Sequence, residues 1–439
     1  MARPIIRTLP SLFVWQLVTV VAGFVTQIVL ARSLGPTNKG ILDLFLLIPF
    51  VTSSVVEMGL LSANTYHGGK GTYSLQTLHS NSIFWSIGVG MLVFIIGVTI
   101  SLAVGSPFAA LSNRYFLLAL AAVPPSLYFL LWSGLMYGSD QVKMVYLVGG
   151  VYSLISVLLY GVVVLIGGTL EMFIYLSASL LLVRACLSLF STGRTTPLRL
   201  EFNAAALKHS LVYGLALYVG LAINSLHFRI NQFFIEAMLG PTALGYFALA
   251  VRIAEMLWLL DYVVVTASLY RVTSEDFAGA VLVAERSLKL VAALVIIPSL
   301  AIFALAPFLV PLFFGKAFAP AVLPLWYLLP GIIAWSLGRS LSPFISYQCG
   351  KPWYNTAAAG FAFIVNLAAN FILIPKLGIV GAAIASTLSY TVNLLIIGLI
   401  FFRLTHARVI DTILPTGAEI SLVAQFVREQ YDRFVKRDT

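Results

Sequence analysis

Long apolar runs, separated by short polar segments, follow one another along almost the whole chain. A run of about 20 apolar residues is long enough for an α-helix to cross a bilayer. We read twelve such runs, six in each half, and number them spans one to twelve. They lie near residues 11–31, 41–63, 82–105, 115–137, 144–166 and 170–190, and near residues 209–236, 243–269, 288–312, 322–347, 355–374 and 378–403.

The tetrapeptide Leu-Gly-Pro-Thr occurs after span one, at Leu34–Thr37, and again after span seven, at Leu239–Thr242. Aligned at an offset of 205 residues, Arg32–Leu44 and Ala237–Leu249 agree at six of thirteen positions. Glycine and proline after a helix are ordinary stop signals, but they do not explain the shared spacing or an offset near half the chain length. We therefore predict two copies of one six-helix unit in the same orientation, an architecture common among transporters.

Composition supports the membrane assignment and orients the chain. Hydrophobic residues make up 60% of the sequence and charged residues 10%, whereas soluble domains carry about 25% charged residues. The net charge of +10 could suggest a nucleic-acid partner, but most of the 26 Lys and Arg residues fall on one side of the predicted spans. That side is cytoplasmic by the positive-inside rule. We therefore expect a multi-pass protein of the cytoplasmic (inner) membrane, with both termini cytoplasmic and no nucleic-acid partner.

The predicted fold is all-α, with about 12 transmembrane helices in two parallel six-helix lobes. The N-terminal lobe covers residues 1–200 and the C-terminal lobe 201–405, joined through the polar segment Ser191–Lys208. In residues 406–439, apolar side chains recur at helical spacing from Ile420 to Phe434 among basic residues. This cytoplasmic tail is either an amphipathic helix on the inner leaflet or a solvated tail whose periodicity is incidental.

Polar and charged residues inside the spans form stripes on single helix faces. A charge inside a bilayer costs about 2.5–3.5 kcal/mol on insertion scales, so each must face a cavity or a partner. In span eight, two of these residues lie three apart and can pair, whereas Asp261 points roughly the opposite way. The stripes are Ser225, Arg229, Gln232 and Glu236 in span seven; Trp335, Arg339, Ser342 and Ser346 in span ten; Ser53, Glu57 and Asn64 in span two; and Arg252 and Glu255 in span eight.

Two interpretations of these stripes stay open. In one, the charges pair among themselves and hold the bundle together. In the other, they line a central aqueous cavity, and the arginines recognise phosphate because their planar donors engage two oxygens at once. The substrate-binding candidates are then Arg229, Arg339, Arg252, Gln232 and Ser225. The candidates for binding a coupling H⁺ or Na⁺ are Glu57, Glu255 and Asp261.

Further polar residues in the last two spans favour a structural role. Asn366 and Asn370 in span eleven, and Ser386, Tyr390 and Asn393 in span twelve, are each aligned at helical spacing. Polar side chains at such positions often form hydrogen bonds between helices in lipid, worth roughly 0.6–2 kcal/mol per bond. A role in substrate binding is the alternative.

The sequence contains no enzymatic constellation. It has no P-loop, nucleophile elbow or His-Glu metal motif, each of which would place reactive groups at a recognisable spacing. We therefore expect a protein that is not an enzyme, without a catalytic residue, a bound metal or a cofactor. The two histidines that follow span two, His67 and His79, are expected to be solvent-exposed.

Four segments together resemble a known family. They are ARSLGPTNKGILDL, MLGPTALGYFALAVRIAE, LLPGIIAWSLGRSLSPFISYQCGKPWYN and NLAANFILIPKLGIVGAAIASTLSY. These segments resemble the polysaccharide, or O-antigen-type, flippases of the multidrug/oligosaccharidyl-lipid/polysaccharide (MOP) exporter superfamily. The matching positions between spans eleven and twelve are Asn366, Asn370, Ile374, Pro375, Gly378, Gly381, Ala382, Ala383 and Ala385. The resemblance covers the membrane region and not the tail.

The resemblance implies a MATE-like, V-shaped bundle around a cavity. It implies a transporter that flips a polyprenyl-diphosphate-linked oligosaccharide from the cytoplasmic to the outer leaflet for cell-surface polysaccharide biosynthesis. Its partners would be that lipid-linked oligosaccharide, membrane lipids, and a glycan polymerase or other polysaccharide-assembly proteins. Cavities in the family are commonly cationic, which favours Arg229 and Arg339. The position two residues after the span-seven arginine is often acidic in the family but is Asn231 here, which argues against a coupling ion at this point.

Three alternatives differ in their sequence signals. A MATE-like exporter of drugs or small cations should favour acidic and aromatic cavity groups over arginines within the spans. The major facilitator superfamily also has two six-span halves, but its basic, Asp-containing loop between spans two and three has no counterpart in ANTYHGGKGTYSLQTLH. A membrane-embedded glycan polymerase or ligase usually needs a sizeable outer loop, and every predicted outer loop here is short.

Overall fold

The structure, a computed structural model, describes residues 3–193, 200–409 and 412, except for the side chains of residues 3–13, 216 and 217. Within these residues the chain is all-α, as predicted, and contains no β-strand. The predicted amphipathic repeat of the tail, from Ile420 to Phe434, and the centre of the segment that joins the halves lie outside the described residues. The helices are α1 (Arg3–Val56), α2 (Leu60–Lys70), α3 (Leu75–Val104), α4 (Asn113–Ala121), α5 (Val123–Gly138), α6 (Val142–Leu165), α7 (Leu170–Gly193), α8 (Ala204–Leu239), α9 (Pro241–Glu255), α10 (Trp258–Ser274), α11 (Phe277–Phe314), α12 (Val322–Pro343), α13 (Pro352–Leu377) and α14 (Ile379–Thr405).

The predicted spans correspond to these helices. In the part of the chain that the structure describes, nine helices are long and apolar enough to cross a membrane, or ten with the bent helix α8. Spans one and two run together in α1, where the backbone leaves helical geometry at Gly35 (φ 67°, ψ 178°). The remaining span, span eight, is divided between α9 and α10. Twelve spans therefore account for the helical architecture.

Spans two and eight are both interrupted. In span two, Met58 and Gly59 have left-handed φ angles of 49° and 78° between α1 and α2. In span eight, the main chain between α9 and α10 forms i→i+3 hydrogen bonds, such as that from Leu257 N to the carbonyl of Ala254 at 3.2 Å. At membrane depth, non-helical backbone is tolerated only where protein covers it or where it lines a water-filled cavity.

One compact unit comprises Met1–Val251, Leu305–Leu325 and Asn366–Ala385. Its core includes Trp132, a fully buried side chain whose Nε1 donates a hydrogen bond to Thr192 Oγ1 at 2.7 Å. Because indole has a single donor, this bond satisfies the polar atom of an otherwise apolar ring. The side chains that pack around Trp132 are Leu78, Tyr128, Leu135, Met136, Val148 and Ala185.

The two Leu-Gly-Pro-Thr motifs contact each other within this unit. The hydroxyl oxygens of Thr37 and Thr242 are 2.8 Å apart, and these residues are separated by the repeat offset of 205. The backbone of Gly40 packs on the carbonyl of the second motif's proline, and that of Gly245 on the carbonyl of the first motif's proline. A Cβ added at either glycine would overlap that carbonyl. Such a reciprocal contact is the pattern of a two-fold axis, so the predicted repeat is visible as a symmetric contact.

Beside the first motif, an arginine side chain bonds to main-chain carbonyls rather than to a carboxylate. Arg32 donates hydrogen bonds to the carbonyl oxygens of Phe313, at 2.7 Å, and Leu312. These carbonyls belong to the last turn of α11, where no intrahelical donor remains and a positive charge is favourable. Arg32 therefore fastens the first motif to the end of span nine.

Helices α2 and α8 contact each other at their predicted cytoplasmic ends. The backbones of Gly59 and Gly214 are so close that a Cβ on either would overlap the other residue. His67 is 1% exposed, and its ring centroid lies 4.8 Å from that of His209. His79 is also buried, so the prediction that the two histidines after span two are solvent-exposed is wrong. Packing between helices, rather than the loop, determines their surroundings.

The other compact unit comprises Arg252–Ala304, Trp326–Val365 and the residues from Ser386 onward. Its core is centred on Phe344 and Phe401, whose rings meet edge to face at 5.2 Å. Phe344 begins the π-helical turn Phe344–Gln348, which follows α12. The predicted division of the chain at residue 200 into two lobes stays a prediction.

Candidate functional site

An ion pair within the second unit joins two of the predicted site residues. Asp261 on α10 is fully buried and Arg339 on α12 keeps 34% of its side chain exposed, with Nη1 and Oδ1 3.4 Å apart. The carboxylate is enclosed by protein, while the long arginine side chain keeps part of its surface accessible. The structure therefore brings a substrate-binding candidate and an ion-coupling candidate into one cluster.

One aromatic ring contacts this ion pair, and three more rings cluster one helical turn away. The guanidinium carbon of Arg339 lies 5.4 Å from the ring centroid of Tyr262, at the distance of a cation–π contact. One turn before Arg339 on the same helix, Trp335 lies 5.3 Å from Tyr390 and 6.4 Å from Trp258, centroid to centroid. The sequence stripes contained Trp335 and Tyr390. They missed Trp258, which precedes Asp261 by three residues and therefore shares its helix face.

The span-seven stripe belongs to the first unit. Arg229 is partly exposed, with its guanidinium carbon 5.6 Å from the ring centroid of Phe50. Ser225 is partly exposed and Gln232 is buried. Glu236, also buried, accepts a hydrogen bond from the backbone N–H of Ala110 at 3.1 Å. Its carboxylate therefore anchors the connection between spans three and four.

Three further candidates occupy the interrupted spans. Glu57 is buried, and its Oε2 accepts a hydrogen bond from Leu61 N at 3.0 Å. A carboxylate at this position satisfies a free N–H at the start of α2 and complements the positive end of the helix. Arg252 is exposed and Glu255 partly exposed. The pairing of these last two residues stays a prediction.

Buried asparagines link spans seven and eleven in the first unit. Asn370 Nδ2 donates to Asn231 Oδ1 at 2.7 Å and to the backbone carbonyl of Asn366 at 2.9 Å. Asn231 Nδ2 donates in turn to the carbonyl of Ala382 at 3.2 Å. The side chains are thus hydrogen-bonded to one another, which supports the structural interpretation of the span-eleven stripe. An amide at position 231 supplies both the donor and the acceptor that this arrangement uses.

One buried ion pair was not predicted. Lys39 is 1% exposed, and its Nζ lies 2.6 Å from Asp43 Oδ2 one helical turn later. The i, i+4 spacing of opposite charges was a signal that could have revealed it.

The candidates are therefore distributed over both units. Ser225, Arg229, Gln232 and Glu57 belong to the first, whereas Arg252, Glu255, Asp261 and Arg339 belong to the second. A cavity common to all of them stays a prediction. Among the residues that the structure describes, no group of three or more His, Cys, Asp or Glu side chains is placed to hold a metal ion.

Solved structures with the same fold include transporters of the MOP superfamily and a lipid flippase. A multidrug resistance MATE family transporter in an inward-facing conformation is 16% identical at a TM-score of 0.71, with 88% of this chain and 94% of that chain covered. The lipid II flippase MurJ in an inward closed conformation is 14% identical at a TM-score of 0.71, with coverage of 96% and 92%. A MOP superfamily transporter from Pyrococcus furiosus is 13% identical at a TM-score of 0.58, with coverage of 92% and 95%.

At these identities the likeness shows a shared fold, and it confirms the predicted MOP architecture. No curated protein matches the chain. The family model described as "Polysaccharide biosynthesis protein" matches residues 6–275, which is more than half of the 439 residues. The match covers both Leu-Gly-Pro-Thr motifs and the whole stripe of span seven. The chain therefore belongs to the polysaccharide biosynthesis protein family.

Proposed function

We propose that this protein is a flippase that moves a polyprenyl-diphosphate-linked oligosaccharide from the cytoplasmic to the outer leaflet for cell-surface polysaccharide biosynthesis. The proposal rests on the exposure and the ion pairing of Arg339. Its guanidinium is partly exposed within span ten, and its ion pair with Asp261 engages Nη1. The remaining donors can meet a second anion. A cation in a span must face a cavity or a partner. Asp261 is the partner, and we assign a substrate cavity to the exposed side of the guanidinium.

The chemistry of a diphosphate headgroup fits this arrangement. Asp261, fully buried behind the guanidinium, fixes its orientation, and the planar donors on the exposed side can engage two phosphate oxygens. A partly exposed guanidinium would repel a cationic drug, which favours an anionic substrate at this point. Arg229, partly exposed on span seven, is the second arginine to which we assign phosphate binding.

Release to the outer leaflet requires an opening on the outer side. We assign the contact between the two Leu-Gly-Pro-Thr motifs to the outer seal, because it joins the predicted outer ends of spans one, two, seven and eight. Arg32 ties the same region to the end of span nine. In this proposal the seal stays closed while the headgroup enters from the cytoplasm and separates when it leaves.

The test is a deletion strain that carries the gene on a plasmid. Deletion should cause lipid-linked glycan to accumulate on the cytoplasmic leaflet, measured by its protection from an externally added glycan-modifying enzyme. Arg339→Ala and Arg229→Ala should each lower export at least about tenfold at matched protein levels, because a charge-assisted hydrogen bond contributes about 1.5–3 kcal/mol. Arg271→Ala, which removes an exposed arginine at the end of α10, is the control and should export normally.

Two results would contradict the proposal. Normal export by both the Arg339 and the Arg229 variants would show that these cations are not needed for export. The deletion strain could also show an unchanged distribution of lipid-linked glycan together with increased sensitivity to cationic drugs. That result would indicate a MATE-like antiporter instead of a flippase.

A further inference from the structure

The ring cluster beside Arg339 owes its geometry to small residues on α12. Gly331 lies one turn before Trp335 and packs against Thr387 on α14, where an added Cβ would be 2.6 Å from the threonine hydroxyl. Gly338 lies about one turn after Trp335 and faces Leu394, with its position for a Cβ 3.4 Å from Leu394 Cα. Small residues let two transmembrane helices approach closely. Spans ten and twelve can therefore meet around the Trp335 ring.

Three rings gather at this close approach, one from each of three helices. The centroid of Trp335 lies 5.3 Å from Tyr390 on α14, and Trp258 on α10 lies 6.3 Å from the same tyrosine. Tyr390 is buried, whereas both tryptophans are partly exposed. The tyrosine thus forms the floor of the cluster, and parts of the two indoles remain accessible.

Two observations indicate that the accessible side of the cluster is polar rather than lipid-facing. Trp335 and Arg339 are one helical turn apart and share a face of α12, and the arginine head is partly exposed there. Trp258 begins α10 directly after the interruption of span eight, and interrupted backbone lines a cavity or is covered by protein. Aromatic surface next to a partly exposed cation is typical of small-molecule sites.

We infer that Trp258, Trp335 and Tyr390 form a platform on which a sugar ring stacks, next to the phosphate-binding face of Arg339. The C–H groups on the flat side of a pyranose carry partial positive charge, and the faces of aromatic rings carry partial negative charge. The inference rests on the proposed function and adds a sugar subsite to it. Since the first sugar is bonded directly to the diphosphate, adjacent sites for a ring and a phosphate match the chemistry of this headgroup.

The experiment compares two ligands on the purified full-length protein. One is a short-chain polyprenyl diphosphate that carries a disaccharide, and the other is the same polyprenyl diphosphate without sugar. Their Kd values are measured by equilibrium binding in detergent. The wild-type protein should bind the glycosylated lipid more tightly. Trp335→Leu should weaken binding of that ligand by about three- to tenfold, the worth of one aromatic stacking contact, and leave the Kd of the bare diphosphate unchanged within twofold.

Two further variants keep the result interpretable. Trp335→Phe retains a ring face and should keep most of the preference for the glycosylated lipid, which a purely structural role of the indole would not predict. Trp353→Leu is the control, because Trp353 is 61% exposed and stacks on Tyr354 at 4.1 Å at the start of α13, away from Arg339 on the chain. It should bind both ligands like the wild type.

The outcomes separate the platform from the flippase. Equal binding of both ligands by the wild type, or an equal loss for both in Trp335→Leu, would overturn the sugar platform and leave diphosphate binding in place. An unchanged preference in Trp335→Leu would overturn it as well. Binding of neither ligand by the wild type would overturn the proposed function itself.

Discussion

At the scale of single residues, the ion pair of Arg339 and Asp261 would combine a structural role with the phosphate-binding role proposed above. The carboxylate is fully buried and the guanidinium is only partly so. Removal of the arginine therefore leaves a buried charge without its cation, which costs more than the ion pair contributes. Loss of export in Arg339→Ala has two possible origins, loss of a phosphate contact and loss of stability, and a double variant can distinguish them.

We predict that Arg339→Ala lowers the free energy of unfolding by about 1–3 kcal/mol, the cost of an unsatisfied buried acceptor. The double variant Asp261→Asn/Arg339→Gln, with no charge left to compensate, should recover most of that loss. Neither should export glycan. The measurement is the Tm of each variant in detergent, together with export at matched protein levels. If the double variant melts as low as the single one, the ion pair is not the cause of the instability.

The sequence predicted which of these residues share a helix face, but not which residues they contact. The stripe in span ten placed Trp335 and Arg339 on one face. In the structure Trp335 packs beside Tyr390, and Arg339, one turn later, pairs with Asp261. The partner of Arg339 lies 78 positions away on another helix, and helical periodicity carries no information about such a pairing. The same limit explains His67, which was assigned to a solvent-exposed loop because its burial comes from α8.

At the scale of helices, the interruptions of spans two and eight have no strong signal in the sequence. Gly59 supports a left-handed turn in span two, but Met58 also has a positive φ of 49° there, which side chains rarely adopt. In span eight the interruption between α9 and α10 occurs at Met256 and Leu257, two good helix formers. Tertiary packing, not local propensity, therefore determines where these spans bend.

The contact between α2 and α8 should depend on pH. Burial lowers the pKa of His67 below its usual 6.5, and the nearby His209 lowers it further. The unfolded chain then takes up a proton near pH 6.5, whereas the folded chain resists protonation until a lower pH. The contribution of His67 to the free energy of unfolding is therefore greatest above about pH 6.5. It falls as the pH decreases below that value. The rings that face His67 are Tyr66, Tyr73, His209 and Tyr213.

The check compares Tm at pH 7.5 and pH 5.5 for the wild type and for His67→Phe, which keeps an aromatic ring but cannot be protonated. The wild type should lose more of its Tm on acidification than the variant. His406→Phe, at the end of α14, is the control and should behave like the wild type. An equal loss of Tm in wild type and His67→Phe would show that His67 is not the sensitive group.

At the scale of the whole molecule, the repeat was the most informative feature of the sequence. The two motifs predicted a duplicated six-helix unit, and the structure places Thr37 against Thr242 with reciprocal glycine contacts on either side. The sequence could predict the repeat because duplication leaves a fixed offset. It could not predict that the two copies contact each other at the motif itself, because a contact between residues far apart in the chain leaves no pattern in the sequence.

We predict that a disulfide across this axis arrests transport. The hydroxyls of Thr37 and Thr242 are 2.8 Å apart, so two cysteines at these positions lie within reach of an S–S bond. Thr37→Cys/Thr242→Cys is made in a background with Cys186 and Cys349 replaced by serine. Oxidation should abolish export by the double variant, and reduction should restore it, with each single cysteine variant as control. Undiminished export by the oxidised protein would exclude separation of the motifs from the transport cycle.

The close glycine contact also bears on proton leakage across the membrane. A continuous file of water would let protons hop across and discharge the gradient on which the cell depends. At Gly40 and Gly245 the main chains touch without an intervening side chain, which leaves no width for such a file. In the proposed flippase, this contact would keep the outer side electrically insulating while the headgroup is bound, and the absence of two Cβ atoms accounts for its tightness.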